Sequence, residues 1–173
     1  MKARRSVSIV LLALCTLTLA QLAVAEGPVY VRKTAPFTDS TQIAQNIIDE
    51  CGLPESQMKV LHEQAKELRV EVVEDEAAVD ANKGRVLLLE TAGAISAGNA
   101  FVGHRKQVIV KGRLLDNGAE IGNFSAIRGS MGGMWAGYKS SCSVLYRCQT
   151  TLAKDILGWL ANPTKDEIGR AHV

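Results

Sequence analysis

The chain of 173 residues has 47% apolar and 22% charged residues and a net charge of +2. This composition is typical of one ordinary globular domain. It excludes a disordered chain, because such a chain has too little apolar surface to offset the entropy lost on ordering. The length argues against a two-domain enzyme, and the composition excludes collagen-like and multi-span membrane proteins.

The first 25 residues have the three parts of a cleaved signal peptide. A basic start is followed by an apolar run over residues 7–20, and residues 23–25 (Ala-Val-Ala) supply the small-x-small cleavage pattern. The apolar run is short for a membrane span, which needs about 20 residues. We therefore expect residues 1–25 to be removed and the mature protein to be periplasmic or, alternatively, extracellular.

The last six residues, 168–173, read Ile-Gly-Arg-Ala-His-Val. They match one reading frame of a common sequencing-adapter oligonucleotide, and the next codon of that frame is a stop. We therefore interpret residues 167–173 as a tail of artefactual origin. Residues 26–166 are expected to form one domain.

Cleavage of the signal peptide changes the charge balance. It removes Lys2, Arg4 and Arg5 and no acidic residue, which leaves 17 basic against 18 acidic residues. A nearly neutral protein lacks the excess positive charge that bulk nucleic-acid binding requires. No nucleic-acid partner is therefore expected.

Three stretches of the mature chain have a helical pattern. Residues 38–41 offer N-cap side chains to a helix that ends at Gly52. A second helix opens at Pro54 and keeps an apolar stripe as far as Leu68. The third helix is expected over residues 143–161.

The remaining segments favour strands. Residues 27–37 are extended in character, and Asn117-Gly118 predicts a tight hairpin, because both positions need a positive φ. Short connections favour antiparallel pairing. The predicted fold class is α+β, an antiparallel four- to five-stranded sheet with two or three helices packed mainly on one face. The four further strands are expected at about 69–74, 85–94, 106–115 and 119–128.

Strand direction alternates in such a meander, so alternate connections lie at the same end of the sheet. The connections 95–104 and 129–140 are therefore expected to share one end, which we call the loop end. The connection 75–84 and the turn 117–118 are expected at the opposite end. That end carries an excess of acidic side chains, Glu74, Asp75, Glu76, Asp80, Asp116 and Glu120.

The loop end combines small residues with apolar and basic ones. Large apolar side chains on flexible loops can form an adaptable contact surface, and a basic rim suits an anionic partner. The alternative is that Trp135 and the methionines fold inward and cap the core. The candidate binding residues are Phe101, His104, Arg105, Lys106, Arg128, Met131, Met134, Trp135, Tyr138 and Lys139.

Three cysteines, Cys51, Cys142 and Cys148, follow the signal peptide. An oxidising compartment permits one disulfide and leaves one thiol. If residues 143–148 are helical, Cys142 and Cys148 are separated by about 9 Å along the helix, more than the roughly 7 Å between Cα atoms that a disulfide allows. We therefore expect Cys51 to pair with Cys142 or Cys148; a Cys142–Cys148 bond needs a helix that begins later.

No cofactor or metal site is indicated by the sequence. Three cysteines without a partner histidine do not form a zinc site. The glycine-rich stretch 132–139 differs from a phosphate loop, because Tyr138 separates its last glycine from Lys139. No pair of carboxylates is placed for acid–base catalysis, so no catalytic residue is assigned.

Four short motifs are spread along the mature chain: Asp49-Glu50-Cys51-Gly52, Gly112-Arg-Leu-Leu-Asp-Asn-Gly118, Gly132-Gly133, and Cys142-x5-Cys148 running on to Trp159-Leu160-x-x-Pro163. Together they resemble a group of short, signal-peptide-bearing, uncharacterised proteins of Gram-negative bacteria. The resemblance covers about residues 29–163 and implies a periplasmic α+β domain of unknown function, without catalytic residues.

The sequence favours a non-enzymatic binding or envelope-assembly module that acts through the loop end. Its partner is expected to be an envelope component: a protein, a lipid headgroup or an anionic polymer. One alternative is a small envelope hydrolase that uses Ser130 or His104 in the same loops. Another is a self-associating structural subunit that forms a homo-oligomer through edge strands or apolar loops.

Overall fold

The computed structural model describes residues 27–40, 43–99, 103–130 and 140–172. The predicted signal peptide lies outside these residues. In chain order the elements are β1 (Val29–Val31), α1 (Gln45–Cys51), α2 (Leu53–Leu68), β2 (Val72–Glu74), α3 (Glu76–Asp80), β3 (Arg85–Asn99), β4 (Gly103–Asp116), β5 (Ala119–Ser130), α4 (Ser141–Leu160) and β6 (Glu167–His172).

The strands form one mixed sheet in the order β2-β1-β3-β4-β5-β6. Strands β3, β4 and β5 pair antiparallel, as predicted, whereas β1 pairs parallel to both β2 and β3, and β6 pairs parallel to β5. The α+β class is confirmed, but the described sheet has six strands and is not wholly antiparallel. The parallel pairs arise because helices connect β1 to β2, β2 to β3 and β5 to β6, and such a crossover returns the chain to the same end of the sheet.

The helices cover the two faces of the sheet unequally. Helices α2 and α4 pack against each other, and they contact the sheet through β3 and through β4 and β5 respectively. Their apolar residues join the sheet in the main core, in which Leu61, Leu87 and Leu145 are fully buried. The short helix α3 covers part of the other face, where Val79 packs with Val86. The helices therefore pack mainly on one face of the sheet, as predicted.

Helix α3 was not predicted, because its five residues lie in what the sequence indicates is a connection. Asp75 is its N-cap, and the Asp75 carboxylate accepts a hydrogen bond from the backbone N–H of Ala78 at 2.9 Å. Such a cap satisfies one of the N–H groups that a helix leaves unpaired at its start. One capped turn is enough here because Val79 is buried against the sheet.

The first helix begins later than predicted. Ala44 is the N-cap of α1 and makes no side-chain cap hydrogen bond, so the prediction that residues 38–41 cap this helix is wrong. The reason is that Thr38 is bound to the sheet. Its backbone N–H donates to the carbonyl oxygen of Thr91 at 3.1 Å, and its hydroxyl contacts the Glu90 carboxylate at 3.1 Å.

The hairpin between β4 and β5 has the predicted turn. Asn117 and Gly118 have φ values of 47° and 85°, as a two-residue hairpin loop requires. The Asn117 N–H donates to the Gly84 carbonyl at 2.9 Å, and the Gly84 N–H donates to Asn117 Oδ1 at 3.0 Å. The 75–84 connection and this turn therefore lie at the same end of the sheet, as predicted.

Strand β6 occupies the segment that the sequence analysis interprets as a tail. It pairs with β5 over Phe124–Gly129, in parallel register with Glu167–His172. The strand was not predicted, because these residues were excluded from the domain. Their adapter origin stays a prediction.

Candidate functional site

The loop end is formed by the ends of three neighbouring strands. Ser96 on β3 pairs with Lys106 on β4, and Lys106 pairs with Ser130 on β5. The two connections that were predicted to share an end of the sheet therefore do start from the same end. Much of the first connection is strand rather than loop, because β3 and β4 stay paired as far as Asn99 and Gly103.

The structure describes three of the ten candidate binding side chains. His104 lies on β4, and nothing is described of its side chain. The described side chains are those of Arg105, Lys106 and Arg128. The candidates that lie outside the described residues are Phe101, Met131, Met134, Trp135, Tyr138 and Lys139.

The three described basic side chains have different environments. Arg105 is exposed, and its guanidinium donates to Gln107 Oε1 at 2.9 Å on the same face of β4. Arg128 forms an ion pair with Asp155 of α4, with 2.7 Å between Nε and Oδ2, and its side chain is 12% exposed. Arg105 is thus the described basic side chain that lies on a rim, whereas Arg128 joins the sheet to a helix.

Lys106 is turned inward, toward the helices. It is only 6% exposed, and its Nζ donates to Ser96 Oγ. The Ser96 hydroxyl is hydrogen-bonded in turn, at 3.0 Å, to the hydroxyl oxygen of Ser141, which is the first residue of α4. Burial lowers the pKa of Lys106 below its ordinary value of 10.5, because a charged ammonium is less stable away from water.

Sequence reasoning missed this cluster, although the sequence carries a signal for it. Lys106 stands in period-two alternation with Val108 and Val110, which are fully buried on the helix-facing side of β4. Alternate residues of a strand face the same side, so Lys106 was placed to point inward. Ser96 and Ser141 lie far apart in the chain, and no local pattern links them to the lysine.

A disulfide holds the same region together. Cys51, the last residue of α1, is bonded to Cys142 in the first turn of α4, with 5.1 Å between the Cα atoms. This is one of the two pairings predicted for Cys51. Cys148 has a free thiol and is fully buried, and burial raises its pKa. Helix α4 includes both Cys142 and Cys148, which is why these two cannot pair.

Two cavities lie away from the loop end. One, of about 400 Å³, lies between α4 and the β5–β6 edge and is lined by Arg128, Asp155 and Trp159 among others. The indole N–H of Trp159 is buried there without a described acceptor. The other, of about 370 Å³, lies on the opposite face of the sheet, beside Lys111 and Ile168.

Among the residues that the structure describes, no group of three or more His, Cys, Asp or Glu side chains is placed to hold a metal ion. None of the helices in this part of the chain combines the length and the apolar character that crossing a membrane requires.

The comparisons with known proteins concern the fold. No protein-family model and no curated protein matches the chain. Among solved structures, a DUF330 protein from Xanthomonas campestris is similar at a TM-score of 0.50 and 13% identity, over 81% of this chain and 88% of that chain. This likeness supports the α+β architecture.

Two weaker structural likenesses are to lipoproteins. A minor lipoprotein from Acinetobacter baumannii has a TM-score of 0.46 and 10% identity, over 80% of this chain and 94% of that chain. Lipoprotein GNA1162 from Neisseria meningitidis has a TM-score of 0.44 and 12% identity, over 79% and 99%. All three organisms are Gram-negative bacteria.

Proposed function

We propose that the protein is an exported, non-enzymatic binding or envelope-assembly module that acts through its loop end. The observation that carries this proposal is the strand register. It brings Ser96, Lys106 and Ser130 side by side, so that both glycine-rich connections leave the sheet at the same end. A binding surface built from two loops on a rigid sheet is a common arrangement, because the sheet positions what the loops contact.

The disulfide supports the proposed location. Cys51 and Cys142 are bonded, and such bonds persist in oxidising compartments such as the bacterial periplasm. The N-terminal signal-peptide pattern points to the same compartment. Both observations support our proposal that the mature protein is periplasmic or extracellular.

The charge distribution supports an anionic partner. Neither connection at the loop end, 95–104 or 129–140, contains an Asp or Glu residue, whereas Arg105 is exposed beside them. The opposite end differs, because Glu76 and Asp80 lie there in ion pairs with Arg32, at 2.7 and 2.6 Å. Of these two ends, the loop end would therefore offer the better charge complement to an acidic protein face, an anionic lipid headgroup or an acidic polymer.

Site-specific photo-crosslinking tests the proposal in cells. A benzophenone amino acid replaces Ala136 in the second connection, and the matched control carries it at the exposed Lys83 of the opposite end. We expect a discrete product of higher mass from position 136 and none from position 83. Equal products from both positions, or none from position 136, would refute a binding role for the loop end.

One contact favours a second candidate function, a small hydrolase. The Ser96 hydroxyl accepts from a lysine whose pKa is lowered, and a neutral lysine can activate a serine as a nucleophile. The serine involved is Ser96, not the Ser130 suggested by the sequence. Labelling of Ser96 by a fluorophosphonate probe would support the hydrolase, and an unlabelled protein would exclude a serine of this reactivity.

A further inference from the structure

We propose that the Lys106 cluster is a binding site for a phosphate-type oxyanion, made by the Lys106 ammonium, the Ser96 and Ser141 hydroxyls, and the first backbone N–H groups of α4. This proposal deepens the proposed function, on which it rests, by naming the chemical group that the loop end receives. It stands on three features of the described residues: an inward lysine without a counter-charge, two adjacent hydroxyls, and the start of a long helix.

The first feature is the uncompensated charge. Lys106 is 6% exposed, and none of the ion pairs among the described residues includes it. The one acidic residue of α4, Asp155, is paired with Arg128. The connections 95–104 and 129–140 contain no acidic residue. A buried ammonium without a counter-charge is costly, and a bound anion would supply that charge.

The second feature is the pair of hydroxyls in front of the lysine. Ser96 and Ser141 are both half-buried and therefore less buried than Lys106. Their oxygens are 3.0 Å apart. Each hydroxyl can rotate to donate a hydrogen bond to an arriving oxygen. Together with Lys106 they present three donors of the kind that a phosphate group binds.

The third feature is the start of α4. The helix has 20 residues and no acidic residue in its first turn, although negative charge is favoured at that end. The N–H of Ser143 is occupied by Ser140 Oγ at 3.2 Å. The N–H groups of Ser141 and Cys142 precede it and have no acceptor within the helix. An oxyanion beside Ser141 would accept from them, as at other helix N-termini.

Inorganic phosphate is the first probe. The full chain, expressed with its own signal peptide and purified from a bacterial periplasm, is titrated to about 20 mM phosphate, enough to reveal a Kd of a few millimolar. We expect saturable NMR shifts at the Ser141 and Cys142 amides. We also expect phosphate to raise the pKa of Lys106, measured at its side-chain carbon, because a bound anion favours the charged ammonium.

Two lysine variants distinguish binding at this site from a general effect of positive charge. Lys106→Met should weaken phosphate binding by about tenfold or more, the loss expected for one charge-assisted hydrogen bond. Lys111→Met changes an exposed lysine on the opposite face of the same strand and should leave the affinity within about twofold. Equal losses in both variants, or no saturable shift in the wild type, would overturn the proposal.

Vesicles then distinguish the source of the phosphate group. If the group belongs to a lipid, vesicles with phosphatidic acid should sediment the wild-type protein but not Lys106→Met, and phosphatidylcholine vesicles should sediment neither. If it belongs to a soluble ester, free phosphate should bind and neither kind of vesicle should sediment the protein.

Fluorophosphonate labelling of Ser96 would overturn the binding site in favour of catalysis. Crosslinking from position 136 without phosphate binding would refute this inference and leave the proposed function standing.

Discussion

The disulfide gives a prediction whose size follows from the structure. Cys51 and Cys142 are 91 residues apart, so the bond closes a long loop in the unfolded chain. The chain-entropy relation for such a loop gives about 4.6 kcal/mol at 25 °C. Because a domain is stabilised in total by about 5–15 kcal/mol, the double variant Cys51→Ala with Cys142→Ala should lose a large part of its stability. Its Tm should fall by roughly 10–20 °C.

Urea unfolding without reductant measures this loss directly. The wild type, the double alanine variant and the wild type treated with dithiothreitol are followed by far-UV circular dichroism. The reduced wild type and the double variant should unfold at similar urea concentrations, both well below the oxidised wild type. Coincident curves for all three samples would contradict the reasoning. So would peptide mapping that finds Cys148 in the disulfide.

Three further predictions concern single residues. Since the pKa of Lys106 is lowered on folding, the unfolded state binds more protons between that lowered value and 10.5, and the wild type gains stability as pH rises through this window. Lys106→Met should therefore raise the Tm at neutral pH in thermal melts without added anion, and this gain should shrink toward pH 10.5; a lower Tm at every pH would contradict it. Cys148 should react with Ellman's reagent only after unfolding, because its thiol is fully buried with a raised pKa; rapid reaction of the native protein would show that it is accessible. Gly112→Ala should destabilise the fold by about 1–3 kcal/mol, because an added Cβ would lie 2.3 Å from the Phe124 ring. The control Gly158→Ala, exposed on α4 with open space around it, should instead stabilise by about 0.5–1 kcal/mol; equal urea midpoints for the two variants would refute the packing argument.

The local features of the fold were accessible from the sequence because short-range signals determine them. The turn at Asn117 needs only the Asn-Gly pair, and Gly52 ends α1 with a φ of 51°, as its position after an apolar stripe predicts. The strand parity that defines the loop end follows from short connections. A disulfide from Cys51 was predicted because a helix over residues 143–148 would hold Cys142 and Cys148 too far apart to pair, and α4 does include both.

The non-local features were not accessible in this way. The parallel pairing of β1 with β2 depends on two helices, α1 and α2, that return the chain to the same end, and no neighbouring residues encode it. The Lys106 cluster joins three elements through Ser96 and Ser141. The prediction that Lys106 belongs to the basic rim did not take into account that Lys106 alternates with the buried Val108 and Val110 along β4. That alternation buries the side chain on the helix-facing side of β4.

The central claim is that the loop end binds an envelope component. It is tested most directly by native mass spectrometry of the protein purified from a bacterial periplasm without reductant, compared with Trp135→Ala. The account predicts a bound lipid, glycan or peptide on the wild type that is absent from the variant, while both give the same circular dichroism spectrum. A bare protein in both samples, or an adduct that persists in Trp135→Ala, would contradict the account.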